Sequence, residues 1–298
     1  MSRQTQTYLM RRFEEVGIRP KSQHGQNFLI DLNLLELIAS TAALEPHDVV
    51  LEVGTGTGSL TAITAPQVAE VVTVEVDPQM HQLASEELFE HRNVTLLLKD
   101  ALAGKHRLDP ELLELLAAKT AVDPHRRLKL VANLPYHVAT PLISNLLALP
   151  TPPTSMTVTI QKELAERIVA APGTKDYGAL SVWVQCQCRA EITRIMPPSV
   201  FWPRPKVESA ILRIDVDDQR RQAIPDREYF HQFVRKLFLH RRKFLRGVLV
   251  AGYKDRLSKP RIDELLAQAG FDERARAEEL PYDDLLRLCE AVRAATEA

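Results

Sequence analysis

Residues 49–61 read VVLEVGTGTGSLT, a strand-forming run that stops at three closely spaced glycines and restarts as a helix-forming segment. A strand that feeds a glycine loop and then a helix is the opening of a β-α-β unit. The alternation continues outward from this stretch. Further apolar runs are VVTVEV (71–76), VTLLL (94–98), LKLVAN (128–133) and MTVTIQ (156–161), with helical patterns such as PQMHQLASEELFEH (78–91) and PELLELLAAK (110–119) between them. Nearly continuous β-branched runs alternating with helices predict a parallel sheet covered on both faces. Residues 178–196 and 209–216 read as a terminal hairpin, joined by the proline-heavy loop PPSVFWPRPKVE (197–208). Beyond residue 217 strand signals vanish, and the spacing predicts helices over 228–250, 260–270 and 281–295. The expected organisation is an α/β domain over 1–217, beginning with an amphipathic helix inside 1–28, and a small all-helical domain over 218–298.

Apolar residues make up 45% and charged residues 26% of 298 positions, a globular composition with room for one large or two ordinary domains. No apolar run approaches the ~18 residues of a membrane span, and MSRQTQTYLMRRFEEVGIRP (1–20) has no signal-peptide core. Cys186, Cys188 and Cys289 show neither a disulfide framework nor metal-ligand spacing, so the expectation is a reducing cytoplasm and no metal. The net charge of −1 conceals an asymmetry: residues 219–261 hold 13 Lys/Arg against 3 Asp/Glu. A local excess of that size suggests a surface facing a polyanion.

In LEVGTGTGSLT (51–61) the glycines are Gly54, Gly56 and Gly58. A dinucleotide fingerprint places its third glycine five positions after the first; here it falls four after, and Ser59 stands at the fifth. Glycines also serve plain packing of helix on strand. The spacing nevertheless tilts the reading from a dinucleotide toward S-adenosylmethionine, whose carboxylate can approach these backbone N–H groups. Glu75 closes the second strand, where a carboxylate can accept from both ribose hydroxyls of an adenosine cofactor. Asp100 follows the third strand in LLLKDAL (96–102), where it can accept from adenine's amine. Either acid alone reads equally well as a helix cap. In this order, at carboxyl ends of parallel strands, they mark a ligand crevice.

The fourth strand ends in LVANLPYH (130–137). A chain that only turns uses Gly, Asp or Ser, whereas this one sets an amide, a proline and an aromatic ring. Adenine N6 is a poor nucleophile because its lone pair is delocalised into the ring. If the Asn133 side-chain oxygen and the Leu134 carbonyl each accept an N6–H, that lone pair is localised toward a methyl donor. Pro135 fixes φ and removes a competing N–H, and Tyr136 can stack on an extruded base. Leu-Pro-Tyr recurs at 280–282 as an ordinary helix start, so the amide at a buried strand end carries the specificity. In the proline loop, Phe201 is a second candidate for stacking on the target base; Trp202 competes with it, and plain packing fits either.

These motifs, with GQNFL (25–29), QKELAERIVAAPGTKDYGALSV (161–182), VFWPRPKVESA (200–210) and HRRKFL (240–245), resemble the ribosomal RNA adenine N6-dimethyltransferase family, nearest its KsgA (RsmA) branch, from about residue 19 to near the C-terminus. The resemblance implies a Rossmann-like S-adenosylmethionine-dependent methyltransferase sheet with a C-terminal helical domain. It also implies a cytoplasmic enzyme that dimethylates two adjacent adenosines in a hairpin near the 3′ end of small-subunit (16S) ribosomal RNA, within an immature subunit. By that analogy Asn27 and Leu29 close over the cofactor, Gly54, Gly56, Glu75, Asp100 and Asn133 line it, and Asn133, Leu134, Pro135 and Tyr136 hold the adenine. His24, His137 and Ala139 depart from the family's usual residues without touching this chemistry, and both histidines read as polar surface positions.

In EYFHQFVRKLFLHRRKFLRGVL (228–249) the apolar residues Phe230, Phe233, Val234, Leu237, Phe238, Phe244, Leu245 and Val248 follow helical spacing. Arg235, Lys236, Arg242, Lys243 and Arg246 fall opposite, with no acid on that face, and are expected to contact RNA phosphates. Arg241 falls on the apolar stripe and must be paired there; it is expected to point at the domain junction and meet an acid or backbone carbonyls. The competing readings are a large-subunit methyltransferase of the antibiotic-resistance type and a mainly non-catalytic assembly factor. Nothing suggests an obligate oligomer, so a monomer is expected.

Overall fold

The computed structural model describes residues 6–15, 17, 27–104, 107–272 and 274–297. His24 and most of the segment expected to cover the cofactor lie outside the described residues. The chain packs into two compact units: residues 1–165 with 191–216, and residues 166–190 with 217–298. The expected boundary after 217 took no account of 166–190, which packs with the C-terminal helices.

The first unit is built on strands β1 (Phe28–Leu29), β2 (Asp48–Val53), β3 (Glu70–Glu75), β4 (Val94–Leu98), β5 (Arg127–Asn133), β6 (Ser155–Gln161), β7 (Cys188–Met196), β8 (Phe201–Trp202) and β9 (Ser209–Val216). Seven of them form one sheet in the order β4-β3-β2-β5-β6-β9-β7. Neighbours from β4 through β6 are parallel, and β9 runs antiparallel to β6. Every residue of β2 is buried, including Val49, Val50 and Leu51 at 0% exposure. That is why its sequence runs apolar without alternation. From β2 the chain steps outward to β3 and β4, then returns to the other side of β2 to lay down β5 and β6. The reversal leaves a crevice between the carboxyl ends of β2 and β5.

One face of the sheet is sealed by Leu35, Ile38, Leu60, Val71, Val131 and Ile211. A second cluster joins Leu9 and Phe13 of the N-terminal helix (Gln6–Glu15) to Phe28, Met80 and Leu83. β1 and β8 pair antiparallel, Phe28 with Trp202 and Leu29 with Phe201. The proline loop is therefore not irregular throughout: it lends one short strand to the N-terminal segment.

Two expectations fail, both by tertiary override of local pattern. The run 178–196 is not one strand. Ala179–Gln185 is a helix, its start closed by the Gly178 N–H donating to Ser181 Oγ at 2.9 Å, and only Cys188–Met196 is extended. Val182, Trp183 and Val184 favour strand locally, but all three are buried and Trp183 stacks on His231 at 4.2 Å. The helix expected over 228–250 is two, Arg227–Phe238 and Leu245–Gly252. Phe244 bridges Arg276, and the Leu245 N–H donates to the Ala275 carbonyl at 2.8 Å. These distant backbone partners capture residues 244 and 245 and interrupt the helix where no Gly or Pro announces it.

The foot of the sheet carries a buried ion pair. Lys129 Nζ lies 2.7 Å from Asp48 Oδ2 and also donates to the Ala43 carbonyl at 2.7 Å. Asp48 has no exposed surface, so removing its partner strands a buried charge. Lys129→Met is expected to lower unfolding free energy by about 3–5 kcal/mol in urea titrations, and adding Asp48→Asn to recover part of that loss.

Candidate active site

The glycine loop leaves β2 through residues that only glycine fits well. Gly54 has φ +86°, and a Cβ there would sit 3.1 Å from the Pro135 ring. Gly56 has φ +57°, and a Cβ there would sit 3.2 Å from the Phe28 ring. The Gly54 N–H donates to the Val74 carbonyl at 2.9 Å, tying the loop to β3. The Gly56 N–H donates to Glu75 Oε2 at 2.9 Å, while the Val76 and Asp77 N–H groups donate to Oε1, each at 2.9 Å. A carboxylate offers about four acceptor positions. Glu75 therefore reaches the crevice oriented by three backbone donors with acceptor capacity left. Burial raises its carboxyl pKa, and those three donors oppose the rise.

Asp100 is exposed at the end of β4, with Oδ1 accepting from the Leu102 N–H at 2.9 Å. Its neighbour Lys99 is held by Asp109 at 2.6 Å and Glu111 at 2.7 Å. Across the crevice, Asn133 Nδ2 donates to the Asn27 carbonyl at 3.0 Å. The amide's oxygen is thereby the atom left to accept from a ligand. The Leu134 N–H donates to the Thr159 carbonyl at 3.1 Å, and Pro135, at φ −58° and ψ 131°, starts the next helix (Tyr136–Ala148). The Tyr136 hydroxyl lies 2.8 Å from Ser209 Oγ, and burial raises its pKa, so the phenol stays protonated at neutral pH.

One cleft of about 220 Å³ gathers these groups. Asn27, Leu29, Gly54, Gly56, Glu75, Asp100, Asn133, Leu134, Pro135 and Tyr136 all line it. Phe201 does not. It is 3% exposed and packed in the core cluster with Leu29 and Ile211, because β8 turns its side chain inward when it pairs with β1. The expectation that Phe201 stacks on the target base is corrected to a packing role. Trp202 packs on Phe13 at 5.4 Å.

A family model described as ribosomal RNA adenine dimethylase matches residues 17–293. The chain belongs to this family. It is 38% identical over 281 residues, 94% of each chain, to ribosomal RNA small subunit methyltransferase A of Alkaliphilus metalliredigens. It is 39% identical over 276 residues to the protein of that name from Caldanaerobacter subterraneus, covering 92% of this chain and 98% of the relative. Among solved structures, a dimethyladenosine transferase from Plasmodium falciparum superposes with a TM-score of 0.75 at 22% identity, covering 89% of this chain and 97% of that one. The 23S ribosomal RNA methyltransferase ErmE superposes with a TM-score of 0.62 at 25% identity, covering 90% and 100%.

The enzyme is a ribosomal RNA adenine dimethyltransferase whose methyl donor is S-adenosylmethionine. The cleft fits that donor. Two loop positions without side chains leave room for a ligand against the loop backbone, and a buried, pre-oriented carboxylate stands beside them. Of the five cations expected to meet RNA, Arg235, Lys236, Arg242 and Lys243 are exposed. Arg246 departs from expectation: it is half-buried and paired to Asp263 through two contacts of 2.6 and 2.9 Å. That acid comes from another helix, which a single-helix projection does not see. Arg241 meets the Lys175 carbonyl at 2.8 Å, the Tyr177 carbonyl at 3.2 Å and Glu278 at 3.4 Å. It has the acid and carbonyls expected of it, and all of them lie within the second unit.

Sequence reasoning passed over Glu52, Phe28 and Ser209. Glu52 carried a signal, a lone acid inside an apolar strand. It is 2% exposed, accepts from Thr61 Oγ1 and from Thr73 Oγ1 (2.9 Å), and lines the cleft. Burial lifts its pKa from 4.5 to about 7, outweighing the two hydroxyl donors. A folded pKa above the unfolded one means the native state holds an extra proton between these values, so stability falls as pH rises from about 4.5 to about 7. Glu52→Gln is expected to remove this contribution, worth up to about 3 kcal/mol, and to flatten the pH dependence of unfolding measured in denaturant. Gly56→Ala is expected to weaken S-adenosylmethionine binding at least tenfold in calorimetry, since the loop must shift away from Phe28.

Proposed function

We propose that this enzyme dimethylates N6 of two adjacent adenosines in a hairpin near the 3′ end of small-subunit (16S) ribosomal RNA, acting as a cytoplasmic monomer on an immature subunit. The higher identity to small-subunit relatives than to the 23S enzyme supports the choice of RNA. No described helix is long and apolar enough to cross a membrane. The observation that carries the mechanism is the Asn133 amide, fixed at the cleft by the Asn27 carbonyl. Asn133 Oδ1 and the Leu134 carbonyl each accept one N6–H, which localises the nitrogen lone pair. Pro135 holds that carbonyl's direction. Tyr136 stacks on the extruded base, an interaction worth about 1–3 kcal/mol. When bound, the cofactor supplies a methyl group already activated by its sulfonium charge. Holding the two reactants in line provides up to about 7–11 kcal/mol, so no strong base is required. Arg235, Lys236, Arg242 and Lys243 contact phosphates, which makes subunit binding steeply salt-dependent.

Incubating unmethylated small subunits with methyl-labelled S-adenosylmethionine and mapping the label tests this reading. Label on two adjacent adenosines near the 3′ end of the small-subunit RNA is the expected result, and label only on large-subunit RNA overturns it. Asn133→Ala should lose methylation by a factor of 10² or more while still co-sedimenting with small subunits. Normal methylation by that variant refutes the assigned mechanism.

A further inference from the structure

Tyr136 follows β5 directly, yet its hydroxyl is anchored two strands away. β6 lies between β5 and β9, and the Ser209 side chain that meets Tyr136 at 2.8 Å stands at the first residue of β9. The encounter depends on strand direction. β9 runs antiparallel to β6, so its beginning lies beside the carboxyl end of β6, with Ser209 opposite Gln161. A parallel strand in this place would bring its carboxyl end and the loop that follows. Ser209 is fully buried, whereas Tyr136 is half-buried and lines the cleft. The hydrogen bond therefore ties the polar end of a half-buried ring to a group that solvent does not reach. An aromatic side chain has two torsions. The hydroxyl lies on the axis of the second, so fixing it restricts the first and sets the direction in which the ring points.

We propose that Ser209 is a positioning residue for the methyl transfer: its hydroxyl fixes the direction in which the Tyr136 ring points in the cleft, and so the place at which the target adenine stacks. The proposal rests on the reading of Tyr136 as the base-stacking residue. The burial that raises the Tyr136 pKa keeps its proton in place, so the hydroxyl serves as an anchor and not as a base. Either oxygen can donate. Loss of the bond leaves the ring stacked but free to swing about its first torsion, which misaligns N6 and affects the chemical step more than binding. An ångström-scale misplacement is enough to cost one to two orders of magnitude.

The test uses single-turnover methylation of small subunits together with calorimetric binding of S-adenosylmethionine. Ser209→Ala is expected to slow methyl transfer about tenfold, with KM for the subunit and affinity for the cofactor within twofold of the parent. Ser209→Thr, which keeps the hydroxyl, should restore most of the rate. Tyr136→Phe should show the same loss as Ser209→Ala, and the double variant no further loss. Parent-like rates for Ser209→Ala, or losses that multiply in the double variant, overturn the proposal. Tyr136→Ala separates this failure from that of the underlying reading. If Tyr136→Ala methylates normally, base stacking by Tyr136 is itself wrong; if it is inactive while Ser209→Ala is unaffected, only the role of Ser209 falls.

Discussion

The active site depends on how closely two strand ends approach. At the switch point of the sheet, Gly54 leaves β2 and Pro135 follows β5, and the space between them does not comfortably admit one methyl group. That contact sets the glycine loop against the Asn133–Tyr136 segment. The glycine-loop groups proposed to hold the cofactor and the strand-end groups proposed to hold the base thus share one cleft, although about eighty residues of sequence separate them. Because β2 and β5 are paired in register, with Leu51 opposite Leu130, the approach follows from the sheet and not from loop adjustment.

Around this contact the crevice holds two buried carboxyl groups. Glu52 and Glu75 are both buried, and burial raises the cost of ionising each, with the Glu75 charge adding to it at Glu52 and the Asp77 charge at Glu75. Hydrogen bonds do the geometric work: three backbone donors orient Glu75, two threonine hydroxyls hold Glu52, and one backbone carbonyl orients Asn133. Preorganisation of this kind avoids reordering dipoles at the moment of reaction.

The second unit follows a different logic. Its helices bury Phe230, Phe233, Val234, Leu237 and Leu245 while Arg235, Lys236, Arg242 and Lys243 stay in solvent. The turn at 239–244 exists because backbone groups at 275 and 276 claim residues 245 and 244. Arg241, placed in that turn, satisfies the Lys175 and Tyr177 carbonyls and Glu278 and so fixes the turn's conformation. Leu239, at 77% exposure, and Phe244, at 45%, share the turn with these cations. An apolar and cationic surface of this kind suits RNA, whose bases and phosphates it can contact together.

The sequence by itself determined the parallel strands, the glycine loop and its departure from dinucleotide spacing, and the strand-end acids and amide. Each is a local property, since a buried strand needs a continuous apolar run and a crevice residue sits directly after it. Only the tertiary structure decided that Phe201 is core, that 179–185 is helix, that the basic helix breaks, and that Arg246 is paired with Asp263. It also decided that Ser209 reaches Tyr136. These outcomes depend on partners remote in the chain, and a periodicity read within one segment holds no information about which distant backbone, acid or strand will claim it.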